Sequence, residues 1–285
     1  MASFSVFIGL VSHPKSSYAE SQGPKGLASK LSLALRDLGV HTQVQINRVN
    51  LFDENEFPLT SKMARDSVRQ EIRQESEWFH FLKKPKRVSH TTRMAGRLTR
   101  YFSDWRANSN PTELRRLLNI EYSHVNLYRS AVASGCDWAV ILEDDAYVPD
   151  TSEFSRGIAA LMKLTDAPKY INLTTSFSLA EIGIDHLLST VPQVNWEGAG
   201  ECLVLGAERP ATNTVCAIAF KGEFLAEVLA VFDAQQDEPV VPIDWKLNAA
   251  LVRLWERGSI APGECWFLEP GPVIQLSIVK DREAN

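Results

Sequence analysis

The stretch Asp137–Asp150, DWAVILEDDAYVPD, places five apolar residues directly before Glu143, Asp144 and Asp145. A short, unbroken apolar run of this kind reads as a strand buried on both faces. In open α/β sheets, ligands bind beyond the carboxyl ends of the strands. Three adjacent carboxylates repel one another, and in a partly dry site that is costly unless a cation neutralises them. The plain alternative is a strand end whose acidic residues face water. The cation reading calls for oxygen ligands, which suit Mg²⁺ or Mn²⁺. A few carboxylates leave coordination positions for phosphate oxygens, so the ion would stabilise a departing diphosphate.

Outward from this stretch, strand and helix signals alternate. FSVFIGLV, VHTQVQI, KYINLTT, TVCAIAF and PGPVIQLS read as strands. PKGLASKLSLALRDLG reads as an amphipathic helix with Leu27, Leu31, Leu35 and Leu38 on one face and Gly39 as its stop. Thr112–Ser134 is a strong helix pattern ending at Gly135, and GEFLAEVLAVFDAQ is another. PIDWKLNAALVRLWERG reads as a helix with Asp244 as N-cap and Gly258 as stop. The alternation predicts an α/β fold, a mainly parallel sheet flanked by helices. The expected organisation is one domain over residues 1–285 with a basic, aromatic-rich helical insertion at 61–110.

Charge marks that insertion. Residues 61–130 carry 15 Lys and Arg against 7 Asp and Glu, while the rest of the chain carries 15 against 28. Lys83, Lys84, Lys86, Arg87, Arg93, Arg97 and Arg100 alternate with Trp78, Phe79, Phe81, Tyr101, Phe102 and Trp105. This is either a solvated helical face packed by its aromatics or a surface for anions, such as an anionic membrane leaflet with the aromatic rings at headgroup level. Nucleic acid is disfavoured, because the chain as a whole carries a net charge of −5 and shows no nucleic-acid motif. The four cysteines form no C-x-x-C pair, so neither a zinc site nor a disulfide framework is indicated. The start of the sequence reads as a buried strand and no run is long enough to span a membrane. The expected location is cytoplasmic, peripheral on the inner membrane face if the acceptor is lipid-linked.

IEYSHVNLYRSAVASGCDWAVILEDDAYV resembles the central block of glycosyltransferase family 25, the lipooligosaccharide and collagen galactosyltransferase group. Ser123, His124 and Glu143–Asp145 fit that block. KYINLTTS, TVCAIAFKGEFLAEVL, VPIDWKL and EPGPVIQLS are similar to its later elements in the same order. The resemblance implies a GT-A-type, metal-dependent, inverting transferase that moves a hexose from a nucleotide sugar, by family habit a UDP-sugar, to a glycan or glycolipid. It implies Asp145 as the firmest metal ligand, with Glu143 or Asp144 at the donor ribose or a metal-bound water. Ser123, His124 and Asp144 become donor-side candidates. Lys15 and Lys25 join them from the residues themselves, because a diphosphate beside a helix N-terminus needs positive charge.

Inversion needs a base for the acceptor hydroxyl. Asp244, in the Pro-x-Asp element, is the candidate, against an equal reading as a structural N-cap. Glu197 and Glu201, in a Gly-rich segment with Trp196, are second choices. His124 reads better as a packed histidine than as a base. Other phosphate chemistry fits less well. A nucleotidyltransferase would want a Gly-rich basic loop after the first strand, and a dehalogenase-type phosphatase would want Asp-x-Asp-x-Thr. The remaining alternative is a non-catalytic, transferase-like protein that binds an anionic membrane or a partner through the basic insertion.

Overall fold

The computed structural model describes residues 4–12, 26–48, 59–82, 99, 111–174, 176–191, 194–198 and 201–278. The helices are α1 (Leu27–Asp37), α2 (Ser61–Phe81), α3 (Pro111–Ser134), α4 (Thr151–Met162), α5 (Leu179–Ile182), α6 (Gly222–Asp233) and α7 (Ile243–Glu256). The strands are β1 (Ser5–Ser12), β2 (His41–Arg48), β3 (Trp138–Glu143), β4 (Ala146–Tyr147), β5 (Tyr170–Asn172), β6 (Leu188–Thr190), β7 (Leu203–Ala207), β8 (Ala217–Lys221), β9 (Cys265–Glu269) and β10 (Ile274–Gln275). Eight of them form one sheet in the order β2-β1-β3-β8-β5-β9-β7-β6, and β10 pairs with β4 in a separate ribbon. The expected α/β architecture with helices against a mostly parallel sheet is present.

The run Trp138–Leu142 is buried throughout, as its composition predicts. Side chains alternate across a strand, and the two faces feed two cores. Ala139 and Ile141 of β3 pack with Phe7, Tyr128, Phe220, Phe224, Leu247 and Leu251, under α2, α3, α6 and α7. Trp138, Val140 and Leu142 pack with Leu31, Leu35, Phe154 and Ile158, under α1 and α4. By the same alternation Glu143 continues the face on which α3 lies.

Two readings change in three dimensions. β8 runs antiparallel to β3 and to β5, so TVCAIAF presents its entering end at the carboxyl edge of β3. Leu38 is 40% exposed. It caps α1 past the last buried turn and drops out of the face formed by Leu27, Leu31 and Leu35. Helix α4, not foreseen, is started by Asp150, whose carboxylate accepts from the N–H groups of Ser152 and Glu153.

Helix α2 occupies the first part of the basic segment. Trp78 and Phe81 are core residues, 5% and 8% exposed. Trp78 meets Trp245 edge-on with centroids 5.6 Å apart, and Phe81 meets Trp255 at 6.2 Å. Phe79 is partly buried against the same core. Trp78 and Phe81 therefore hold α2 on α7 and are not presented to lipid headgroups. The basic residues Lys83, Lys84, Lys86, Arg87, Arg93, Arg97 and Arg100, and Trp105, lie outside the described residues. Among the described residues no helix is long and apolar enough to cross a membrane.

Gly222 shows how tightly α6 is set against the start of β3. Its N–H donates to the carbonyl of Asp137 at 2.9 Å, and a Cβ there would lie 2.0 Å from the carbonyl oxygen of Cys136. Backbone cannot yield as a side-chain end can, so Gly222→Ala is expected to cost about 1–3 kcal/mol by overpacking. Urea unfolding of that variant checks it, and a midpoint equal to wild type contradicts the close approach.

Candidate functional site

The carboxyl edge of the sheet gathers the acidic cluster. β1 and β3 are parallel, with Val11 opposite Glu143. Asp144 and Asp145 form the turn into β4. Because β8 is antiparallel, its entry residues Val215 and Cys216 reach the same edge, where Glu143 N–H donates to Cys216 O at 2.8 Å. The β4–β10 ribbon closes the far side: Leu276 N–H donates to Asp145 O at 3.0 Å and the Ser277 hydroxyl donates to Asp145 Oδ2 at 2.5 Å.

Asp145 is 7% exposed. Its side chain accepts from Ser277 and, at 3.6 Å, from the Cys216 thiol. Among the described residues no Lys or Arg lies within ion-pair distance of Asp145 or Glu143; Glu143 faces only His124. Ligand atoms of Glu143, Asp145 and Cys216 lie within 4.8 Å of one another. Burial, with Asp145 and Glu143 close by, pushes the Cys216 thiol well above its ordinary range, so it stays a neutral donor. The donor set is thus two carboxylates beside a thiol, a chemistry that fits a small divalent cation through its oxygens. Asp144, half-buried in the turn, follows on the next position.

Glu143 is positioned from α3. His124 is fully buried. Its Nε2 lies 3.2 Å from Glu143 Oε1, and its Nδ1 lies 3.4 Å from the Tyr128 hydroxyl. Burial first, then Glu143 and Asp244, raise the Tyr128 pKa, so its hydroxyl stays protonated. Both ring nitrogens of His124 are thus engaged, one by Glu143 and one by Tyr128. His124 therefore acts through Glu143. Ser123, 2% exposed, contributes its backbone carbonyl, which accepts from Asn47 at 3.1 Å and ties α3 to the end of β2.

Asp244 is not the N-cap of α7. That position is Pro242, and no side chain caps it. Asp244 sits in the first turn and its Oδ1 accepts from Val215 N–H at 2.8 Å. The cap reading fails because Asp244 lies inside the helix, past the N-cap position, and its carboxylate is taken by the chain entering β8. Asp244 thereby joins the cluster. Burial and the Glu143 charge raise its pKa from 3.8 to about 6, against the opposing effects of the Val215 bond and His124.

Other expected residues fall elsewhere. Glu197 and Glu201 are exposed, on segments before β7. Trp196 packs on Phe154 at 6.2 Å and over Gly157 of α4, on the sheet face opposite α3. Lys15 and Lys25 lie outside the described residues. Sequence reasoning missed Cys216, Tyr128 and Ser277. It also missed Ser12, whose buried hydroxyl at the end of β1 has no partner among the described residues. Tyr128, Cys216 and Ser277 all lie in segments quoted above, but no local pattern singles them out within those segments. No protein-family model matches the chain, and a search of curated proteins finds no match.

The raised Asp244 pKa has a measurable consequence. The folded chain favours the neutral carboxyl, so this group's contribution to stability is present at low pH and lost as pH rises through about 6. Asp244→Asn removes that loss. Relative to wild type its Tm should gain most above about pH 6, with the gain shrinking toward pH 4. A difference that calorimetry finds constant across this window contradicts the shift.

Proposed function

We propose that the chain is a metal-dependent glycosyltransferase that moves a hexose from a nucleotide sugar, a UDP-sugar by resemblance, to a glycan or glycolipid acceptor. The observation that carries this reading is Asp145. It is a buried carboxylate at the carboxyl edge of a parallel strand pair, beside Glu143, answered only by neutral donors among the described residues. Such a group is costly without a cation. A mainly parallel sheet with acidic residues at that edge is what the GT-A reading requires.

In this reading Glu143 and Asp145 would hold the metal, Mg²⁺ or Mn²⁺, which would supply positive charge to a departing diphosphate. His124 and Tyr128 hold Glu143 in place. Asp144, at the turn, faces the donor. Asp244 accepts the proton of the acceptor hydroxyl as its oxygen bonds to the anomeric carbon and the bond to the diphosphate breaks. Val215 occupies Oδ1, which leaves Oδ2 for that proton. A carboxylate with its pKa raised toward neutrality is a better base than an ordinary one.

Two variants test the reading. Asp145→Asn should abolish Mn²⁺-dependent stabilisation by nucleoside diphosphates in a thermal-shift panel. It should leave the metal-free Tm unchanged or slightly higher, since one repelling charge is gone. Undiminished stabilisation would remove Asp145 from metal binding. Asp244→Asn should lower turnover at least a hundredfold while sparing nucleotide affinity, because the lost interaction belongs to the transition state. Near-normal turnover removes Asp244 from the chemistry.

A further inference from the structure

Asp244 and Asn248 stand four residues apart on α7, hence on one face of the helix. Both grip the chain that enters β8. Asp244 Oδ1 accepts from Val215 N–H at 2.8 Å, and Asn248 Oδ1 accepts from Thr212 N–H at 2.9 Å. Asp244 is partly exposed, whereas Asn248 and Thr212 are buried.

Thr212 links the two grips. Its hydroxyl donates to the carbonyl of Thr214 at 3.0 Å. The other acceptor near it, Asn172 Oδ1 at 3.2 Å, is already met by Asn213 N–H. The Thr214 carbonyl and the Val215 N–H belong to one planar peptide group. Fixing the oxygen therefore fixes the direction of the N–H, and that N–H ends on Asp244. The next N–H, of Cys216, is committed to the Thr214 hydroxyl at 2.9 Å. Tyr170, from β5, holds Thr212 in turn by donating to its hydroxyl at 2.7 Å.

We propose that Thr212 is a positioning residue for Asp244, holding the Thr214–Val215 peptide so that its N–H occupies Oδ1 and Oδ2 stays open to the acceptor hydroxyl. Asn248 anchors Thr212 from the same helix that bears Asp244. This role rests on the transferase reading, in which Asp244 is the base.

The groups around Asp244 give the role a titration signature. Burial and Glu143 raise its pKa, while the Val215 bond and His124 lower it. Tyr128 of α3, Tyr170 of β5 and Cys216 of β8 also face it, and burial keeps all three protonated. Lys246, on the same turn, is paired with Glu121 of α3. Loosening the Val215 bond removes one influence that lowers the Asp244 pKa, which then rises above about 6.

The test compares Thr212→Val, which deletes the hydroxyl, with Thr212→Ser, which keeps it. Thr212→Val should lower turnover at least tenfold, since a small misplacement at a reacting centre is costly. Its affinity for nucleoside diphosphate with Mn²⁺ should stay that of wild type, and Thr212→Ser should restore turnover. Added to Asp244→Asn, Thr212→Val should cause no further loss, because Thr212 acts only through Asp244. A merely structural threonine would lower both backgrounds alike. Wild-type turnover in Thr212→Val, or an equal loss in both backgrounds, overturns the proposal.

A second readout needs no turnover. The Tm gained through Asp244→Asn should level off near pH 6 in the wild-type background and keep rising above it in the Thr212→Val background. Asn248→Ala, which removes the anchor and keeps the hydroxyl, should shift the curve the same way and replaces Thr212→Val should that variant not fold. Unshifted curves in both overturn the proposal. A shifted curve in a chain that binds no nucleotide and transfers no sugar removes the transferase reading and sustains the hold of Thr212 on Asp244. Turnover with unshifted curves does the reverse.

Discussion

The antiparallel pairing of β8 with β3 is the constraint on which the site depends. Had β8 run parallel, its far end, at Phe220 and Lys221, would lie beside Glu143, and Val215 and Cys216 would sit at the other edge of the sheet. Reversal instead places the chain entering β8 within reach of three acidic residues, two through their side chains and one through its backbone. Val215 N–H goes to Asp244 and the Cys216 thiol to Asp145, while Cys216 O receives the Glu143 N–H. One strand direction thus assembles residues more than a hundred positions apart.

That entry segment is held by a buried polar network. Asn172 Nδ2 donates to Ala211 O and its Oδ1 accepts from Asn213 N–H, both at 3.1 Å. Asn248 Oδ1 accepts from Thr212 N–H at 2.9 Å, and the Thr212 hydroxyl accepts from Tyr170 at 2.7 Å. Each bond contributes only about 1 kcal/mol net. Their joint effect is on geometry, because leaving any member unsatisfied would cost more than it contributes. Asn172 comes from β5 and Asn248 from α7, so the loop before β8 is referenced to the sheet and to the helix that bears Asp244.

Much of this was legible in the sequence, for identifiable reasons. β3 and its acidic end, α1, α3, α6 and α7 carry apolar spacing that local physics reads directly. Strand direction carries no such signal, since an antiparallel and a parallel strand alternate alike, and β8 was therefore placed correctly along the chain but given no orientation. CWFLE, the later β9, is an apolar run ending in Glu like β3 and was open to the same reading. Helix α4 carries Ser155 and Gly157 in its buried face, which blurs its apolar stripe. Asp244 looked like a cap because caps are local and the Val215 N–H is not. Trp78 and Phe81 pack as one of the two readings of the basic segment expects, but their partners Trp245 and Trp255 lie far along the chain and carry no local signal.

Asp145 and Ser277 are separated by 132 positions in the sequence. During synthesis, the carboxylate leaves the ribosome long before the hydroxyl that answers it. Through that interval β1, β2 and β3 can pair, but Asp145 stands unescorted at their edge, repelled by Glu143. The turn at Asp145 therefore reaches its final burial only once the last strand has been made and β10 has paired with β4. Ser277 then acts as a latch that arrives after the turn it closes.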